Sequence, residues 1–90
     1  MLQHVVIRLA GKVQGVFFRA STQEKAMALG ITGFVRNEDD GGLYIEAEGT
    51  PEALREFIAW TKQGPSRAKI TAHEVTPGVL RNFEEFTIEY

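Results

Sequence analysis

The sequence predicts an α+β domain, a split β-α-β sandwich with two helices on one face of a four- to five-stranded, mainly antiparallel sheet. Three observations lead there: alternating stretches rich in β-branched residues, two runs of helix formers closed by glycine or proline, and their order along the chain. That order is strand, helix, strand, strand, helix, strand, with one short strand added at the end. Ninety residues supply one such domain, spanning 1–90, and leave no room for a second.

The first strand runs from His4 to Ala10, with Val5, Ile7 and Leu9 on one face and His4, Val6, Arg8 and Ala10 on the other. A loop bracketed by Gly11 and Gly15 follows. Residues 20–29 hold helix formers with neither glycine nor proline before Gly30, which stops the helix. Thr22, Ala26 and Leu29 fall on one face of that helix and are expected against the sheet. Ile31 to Asn37 and Leu43 to Glu48 are extended runs flanking Glu38-Asp39-Asp40-Gly41-Gly42, whose glycines tolerate the positive φ of a hairpin turn.

Thr50-Pro51 opens the second helix, with Thr50 as N-cap, Pro51 in the first helical position and Glu52 favourable to the helix dipole. Its core stripe is Leu54, Phe57, Ile58 and Thr61, and Gly64-Pro65 ends it. Ile70 to Thr76 and Phe83 to Tyr90 are the remaining strands. In the last, Phe86, Ile88 and Tyr90 share a face opposite Glu85, Thr87 and Glu89. The order is that of the ferredoxin-like fold, which hosts many functions and so decides nothing about chemistry.

Composition narrows the chemistry. Apolar residues make up 43% of the chain, too many for a disordered segment. The net charge of −2 argues against a general binder of nucleic acid or anionic membrane, which needs surplus positive charge. There are no cysteines, which excludes disulfides, thiolate nucleophiles and cysteine-based zinc sites. No secretory leader is visible, and no apolar run approaches the roughly 20 residues of a membrane span. A cytoplasmic, metal-free protein with no cofactor is the expectation.

The informative segment is Gly11-Lys12-Val13-Gln14-Gly15-Val16-Phe17-Phe18-Arg19. A short loop before a helix can turn successive N–H groups toward one point and bind an anion there. Arg19 adds a permanently charged fork suited to phosphate. A cation in the first helical turn is otherwise unfavourable, because that end of the dipole is already positive. A plain connector followed by a solvated Arg is the competing interpretation. The spacing is not that of a Walker A loop.

The complete pattern is more specific than its parts. Leu9 to Arg19 resembles the first signature of the acylphosphatase family, [LIV]-x-G-x-V-Q-G-V-x-[FM]-R, at Leu9, Gly11, Val13, Gln14, Gly15, Val16, Phe18 and Arg19. Residues 33 to 49 resemble its second signature at Gly33, Phe34, Val35, Arg36, Asn37, Gly41 and Gly49; Leu43 departs, standing where the family usually has Val. Gly64-Pro65-Ser66-Arg67-Ala68 is similar to the family's loop before its fourth strand. The resemblance covers essentially the whole chain.

The resemblance implies hydrolysis of the carboxyl-phosphate bond of small acyl phosphates to a carboxylate and inorganic phosphate, by in-line attack of water. It implies phosphate binding by the backbone N–H groups of Gly15, Val16, Phe17, Phe18 and Arg19 and by the Arg19 side chain. Asn37 is implied to position the water, and neither a metal nor a covalent intermediate takes part. A monomer is the expected state. Lys12 and Arg36 are candidates for extra positive potential, with ordinary surface charge as the alternative.

Other residues fare worse. His4 and His73 lie in strands outside the motifs, and Glu38-Asp39-Asp40 lacks the ligand alternation of a calcium loop. Ser21 and Thr22 have no apparent base partner, and Trp60 lies beside a core stripe. A non-catalytic anion-binding or regulatory module on the same fold is the alternative function. An RNA-recognition module is disfavoured, since Gly33-Phe34-Val35 only faintly echoes the relevant motif and the basic surface is missing.

Overall fold

The computed structural model describes Met1–Tyr90 and places seven elements in the expected order. They are β1 (Gln3–Lys12), α1 (Phe18–Leu29), β2 (Thr32–Asn37), β3 (Leu43–Gly49), α2 (Pro51–Thr61), β4 (Lys69–Pro77) and β5 (Phe86–Glu89). The sheet order is β4-β1-β3-β2-β5, antiparallel throughout except for the parallel pair β2/β5. The protein is thus two helices on a five-stranded mixed sheet.

Alternation along the strands builds the core. Ile7 and Leu9 of β1, Leu43, Ile45 and Ala47 of β3, Val35 of β2 and Phe86 of β5 meet Phe18 and Ala26 of α1 and Leu54 and Phe57 of α2. Each large side chain buried this completely contributes about 1.5–3 kcal/mol. Trp60 is packing, as expected: its ring meets Phe18 edge-on at 5.7 Å. The helix ends also follow the sequence. The Thr50 side chain accepts from the Ala53 N–H, and Gly30 closes α1 with its N–H on the Ala26 and Met27 carbonyls.

Several boundaries differ for local reasons. β1 runs to Lys12 because Gly11 and Lys12 pair with Ile70 and Lys69 beyond a bulge at Ala10/Gly11. α1 begins at Phe18, two residues before the expected start, and β2 begins after Ile31, whose N–H closes α1 on the Ala26 carbonyl. The largest correction is at the end of the chain. The strand expected from Phe83 to Tyr90 is only Phe86–Glu89.

The cause is topological. β4 and β5 are opposite edges of the sheet, so their connection must cross it, and it crosses the face without helices. There the Phe83 N–H donates to Glu48 Oε1 instead of to a ladder, and the Phe83 ring packs on His4 and Phe34 at 5.9 and 5.8 Å. The crossing segment buries an outer-face cluster, His4, Phe34, Tyr44, Glu46 and Glu48, none more than 9% exposed.

Candidate active site

The β1–α1 loop is anchored from below. Val13 and Val16 are buried in the core, and Phe18 follows them at the helix start. Between these anchors the backbone turns back twice through the left-handed region, at Gly15 (φ 72°) and Phe17 (φ 62°). A non-glycine residue held there stores about 1–3 kcal/mol of strain, a pattern that concentrates at ligand clamps. Phe17 holds this conformation while its side chain is 77% exposed, so burial of its ring does not explain it.

The N–H groups of Gly15, Val16 and Phe17 donate to no carbonyl of the protein. Those of Phe18 and Arg19 open α1, where the first N–H groups have no intrahelical acceptor. No acidic residue occupies the first turn of α1, so its positive end is not neutralised locally.

Arg19 sits in that first turn. Its guanidinium lies over the Tyr90 ring at 4.7 Å and donates from Nη1 to the Glu89 carbonyl at 3.4 Å. The C-terminal end of β5 therefore holds the cation in place. Asn37, the last residue of β2, comes to the same place from the hairpin side. Arg19 and Asn37 line one open cleft of about 280 Å³ together with Gly15, Phe17 and Phe18. Its remaining walls, Val13, Ala20, Ile88 and Tyr90, are mostly apolar.

Of the residues singled out from the sequence, the structure therefore gathers Arg19, Asn37, Gly15, Phe17 and Phe18. Val16 does not line the cleft: its side chain serves the core, and its N–H donates to no carbonyl of the protein. Arg36 goes elsewhere: its guanidinium lies over Tyr44 and Phe34 at 4.4 and 5.7 Å, on the outer face, with Glu38 at 3.6 Å. Alternation along β2 makes this unavoidable once Asn37 faces the cleft. Lys12 is exposed on β1 and does not line the cleft.

Gln14 is the residue whose role was not read from the sequence, although it stands in the motif. Its Nε2 donates to the Glu38 carbonyl at 2.8 Å and to the Gly42 carbonyl at 2.9 Å. The amide thus ties the loop to the β2–β3 hairpin that carries Asn37. The acidic turn itself is held by backbone bonds, Glu38 N–H to the Gly42 carbonyl at 2.9 Å and Gly41 N–H to the Glu38 carbonyl at 3.1 Å, and by the Gly42 N–H donating to the Asp40 side chain at Oδ1, 2.9 Å away.

The histidines are placed outside the cleft. His73 Nε2 lies 2.9 Å from the Thr61 hydroxyl, which itself donates to the Ile58 carbonyl. Burial and nearby Lys62 hold the His73 pKa below its ordinary value. His4 is on the outer face with Nδ1 2.7 Å from Glu48 and Nε2 3.1 Å from Glu46. Burial pushes both carboxyls up. For Glu46 the Tyr44 hydroxyl and Arg81, and for Glu48 the Arg81 N–H, His4 and the Phe83 N–H, outweigh it, and both lie below their ordinary value.

Known proteins similar in sequence and fold point to one family. The family model described as Acylphosphatase matches residues 5–88. An acylphosphatase of Methylococcus capsulatus is 41% identical over 97% of this chain and 96% of its own length. One of Marinobacter nauticus is 48% identical over 88% of this chain and 84% of its own. The crystal structure of acylphosphatase from Bacillus subtilis superposes with a TM-score of 0.92 at 40% identity, covering 100% of both chains.

Proposed function

Since this chain belongs to the acylphosphatase family and is an acylphosphatase, we propose that its cleft performs the hydrolysis with Arg19, Asn37 and the Gly15–Arg19 backbone. The observation that carries this assignment is the convergence of a guanidinium, a side-chain amide and unpartnered N–H groups on one cleft.

The substrate's phosphoryl oxygens take the N–H groups of the loop and the Arg19 fork. Asn37 holds a water on the far side of phosphorus from the acyl oxygen. The water oxygen forms the new P–O bond as the bond to the carboxylate breaks, and the protons of the water end on phosphate and solvent. Asn37 orients and does not deprotonate, since an amide accepts no proton near neutral pH; the bound phosphate takes it.

So sparse a site is sufficient for this bond. The leaving carboxylate has a conjugate acid of pKa about 4, so no general acid is required to expel it. Phosphoryl transfer through a loose transition state asks for positioning and charge stabilisation, which preorganised donors supply. No step calls for a metal, and the enzyme acts as a metal-independent monomer on small acyl phosphates in the cytoplasm. No helix is long and apolar enough to cross a membrane.

The test follows hydrolysis of a simple acyl phosphate under a metal chelator. Turnover by the unaltered protein is expected to persist. Arg19→Ala and Asn37→Ala each lose about 10²–10³ in rate, the usual effect of deleting one preorganised group. Full activity in Asn37→Ala would remove the water-positioning role. Phosphate binding without turnover in the unaltered protein would leave an anion-binding module.

A further inference from the structure

We propose that Glu48 is a positioning residue for Arg19, acting from the opposite face of the sheet through the crossing segment and β5. The proposal rests on the assignment of Arg19 as the phosphate-binding cation.

Glu48 is a buried carboxylate, 2% exposed, near the end of β3. Its Oε2 accepts from His4 Nδ1 at 2.7 Å and from the Arg81 N–H at 2.5 Å, and its Oε1 accepts from the Phe83 N–H at 3.2 Å. Two of these donors belong to the segment that crosses from β4 to β5. A buried carboxylate is tolerated only when donors surround it, so Glu48 and the crossing segment hold each other in one register. Glu46 adds to the clamp by accepting from Arg81 Nη1 at 3.1 Å and from the Tyr44 hydroxyl at 2.7 Å.

The clamp lies immediately upstream of the cleft wall. Two residues after Phe83, the Glu85 carbonyl accepts the Gly33 N–H at 2.9 Å, and parallel pairing of β5 with β2 begins. β5 has four residues and one sheet neighbour. A parallel edge strand this short is weakly held by its own ladder. Beyond the ladder, Gln23 Nε2 on the Phe86 carbonyl at 3.0 Å ties it to α1. The register set at Glu48 is therefore carried along β5 to the Glu89 carbonyl and the Tyr90 ring, the two groups that hold the Arg19 guanidinium.

The experiment is a double-mutant cycle on the full chain with inorganic phosphate as probe. Its dissociation constant is measured by nuclear magnetic resonance titration for the unaltered protein, Glu48→Gln, Arg19→Ala and the double variant. Circular dichroism confirms folding of each. Gln is isosteric but turns an NH₂ toward donors, so Glu48→Gln weakens phosphate binding by about tenfold, as small misplacements remote from the ligand do. In the Arg19→Ala background the same change has less than about a twofold effect, because the contact it positions is gone.

Equal losses in both backgrounds would show that Glu48 does not act through Arg19. No loss in the single variant overturns the proposal equally. If Glu48→Gln does not fold, Phe83→Ala, which loosens the crossing segment and leaves the carboxylate, takes its place in the cycle. If neither folds, Glu48 and the crossing segment serve folding and not positioning. Phosphate affinity unchanged in Arg19→Ala alone is a separate outcome: it refutes the phosphate role of Arg19 itself.

Discussion

Replacing Gln14 by Ala removes a tie between the two halves of the cleft and nothing else. The two donated hydrogen bonds, 2.8 and 2.9 Å long, join the loop to the Glu38 and Gly42 carbonyls. Neither carbonyl is orphaned by the change, since Glu38 O also accepts the Gly41 N–H and Gly42 O the Glu38 N–H. The loss is then two net hydrogen bonds without a desolvation penalty, about 1–3 kcal/mol in sum. For a domain of this size that lowers Tm by about 5–15 °C. The hairpin end bearing Asn37 is no longer registered against the loop, and kcat/KM for an acyl phosphate falls by about tenfold or more. Gln14→Glu is worse on both counts, because it sets a carboxylate against two carbonyl oxygens. Thermal unfolding and steady-state kinetics on the same samples decide. A fall in kcat at unchanged Tm would mean that the amide touches substrate, and no change in either would refute the tie.

Two further outcomes follow from the same geometry. In Gly33→Ala the added Cβ meets the Glu46 carbonyl oxygen at a backbone φ of 142°, so neither the strand pair nor the dihedral accommodates it. A loss above about 4 kcal/mol is expected in urea unfolding, and native-like stability would contradict the β2–β3 approach. The acid limb of stability is set partly by Glu46 and Glu48, whose folded pKa values are depressed by their donors against the effect of burial. Their contribution is complete above the unfolded carboxyl pKa of about 4.3 and is lost as pH falls through the lower folded values. Urea midpoints between neutral and acid pH should therefore decline more steeply for the unaltered protein than for Glu48→Gln, and parallel slopes would contradict the depressed pKa.

Much of the molecule was legible because local rules and global fold agree. Thr50-Pro51 and Gly30 mark helix ends through their own backbone chemistry, and period-two alternation assigns Ile7, Leu9, Ile45 and Phe86 to the core face. Arg19 and Asn37 were legible through the two motifs, and the structure brings them to one cleft. Phe83 to Glu85 misled because their pattern continues that of β5, while the Phe83 N–H is recruited by a side chain, Glu48, far away in sequence. Nothing local signals that recruitment. The same holds for Gln14, whose partners are main-chain carbonyls that carry no residue identity, and for the outer-face burial of His4, which depends on where the crossing segment runs.

The acidic turn beside the cleft looks at first like an obstacle to an anionic substrate, since Glu38, Asp39 and Asp40 directly follow Asn37. Two of the three are turned to other uses. Glu38 faces Arg36 at 3.6 Å, and Asp40 caps the Gly42 N–H. Arg36 thus bears on the site indirectly, by drawing a neighbouring carboxylate toward the outer face. An exposed pair of this kind is worth little as a stabiliser, but as a placement of charge it matters, because potentials near an open cleft extend over about a Debye length of 8–10 Å. The net charge of −2 is therefore compatible with phosphate chemistry. The positive end of α1 and Arg19 face the cleft, and two of the three carboxylates nearest to it in sequence are held by other partners.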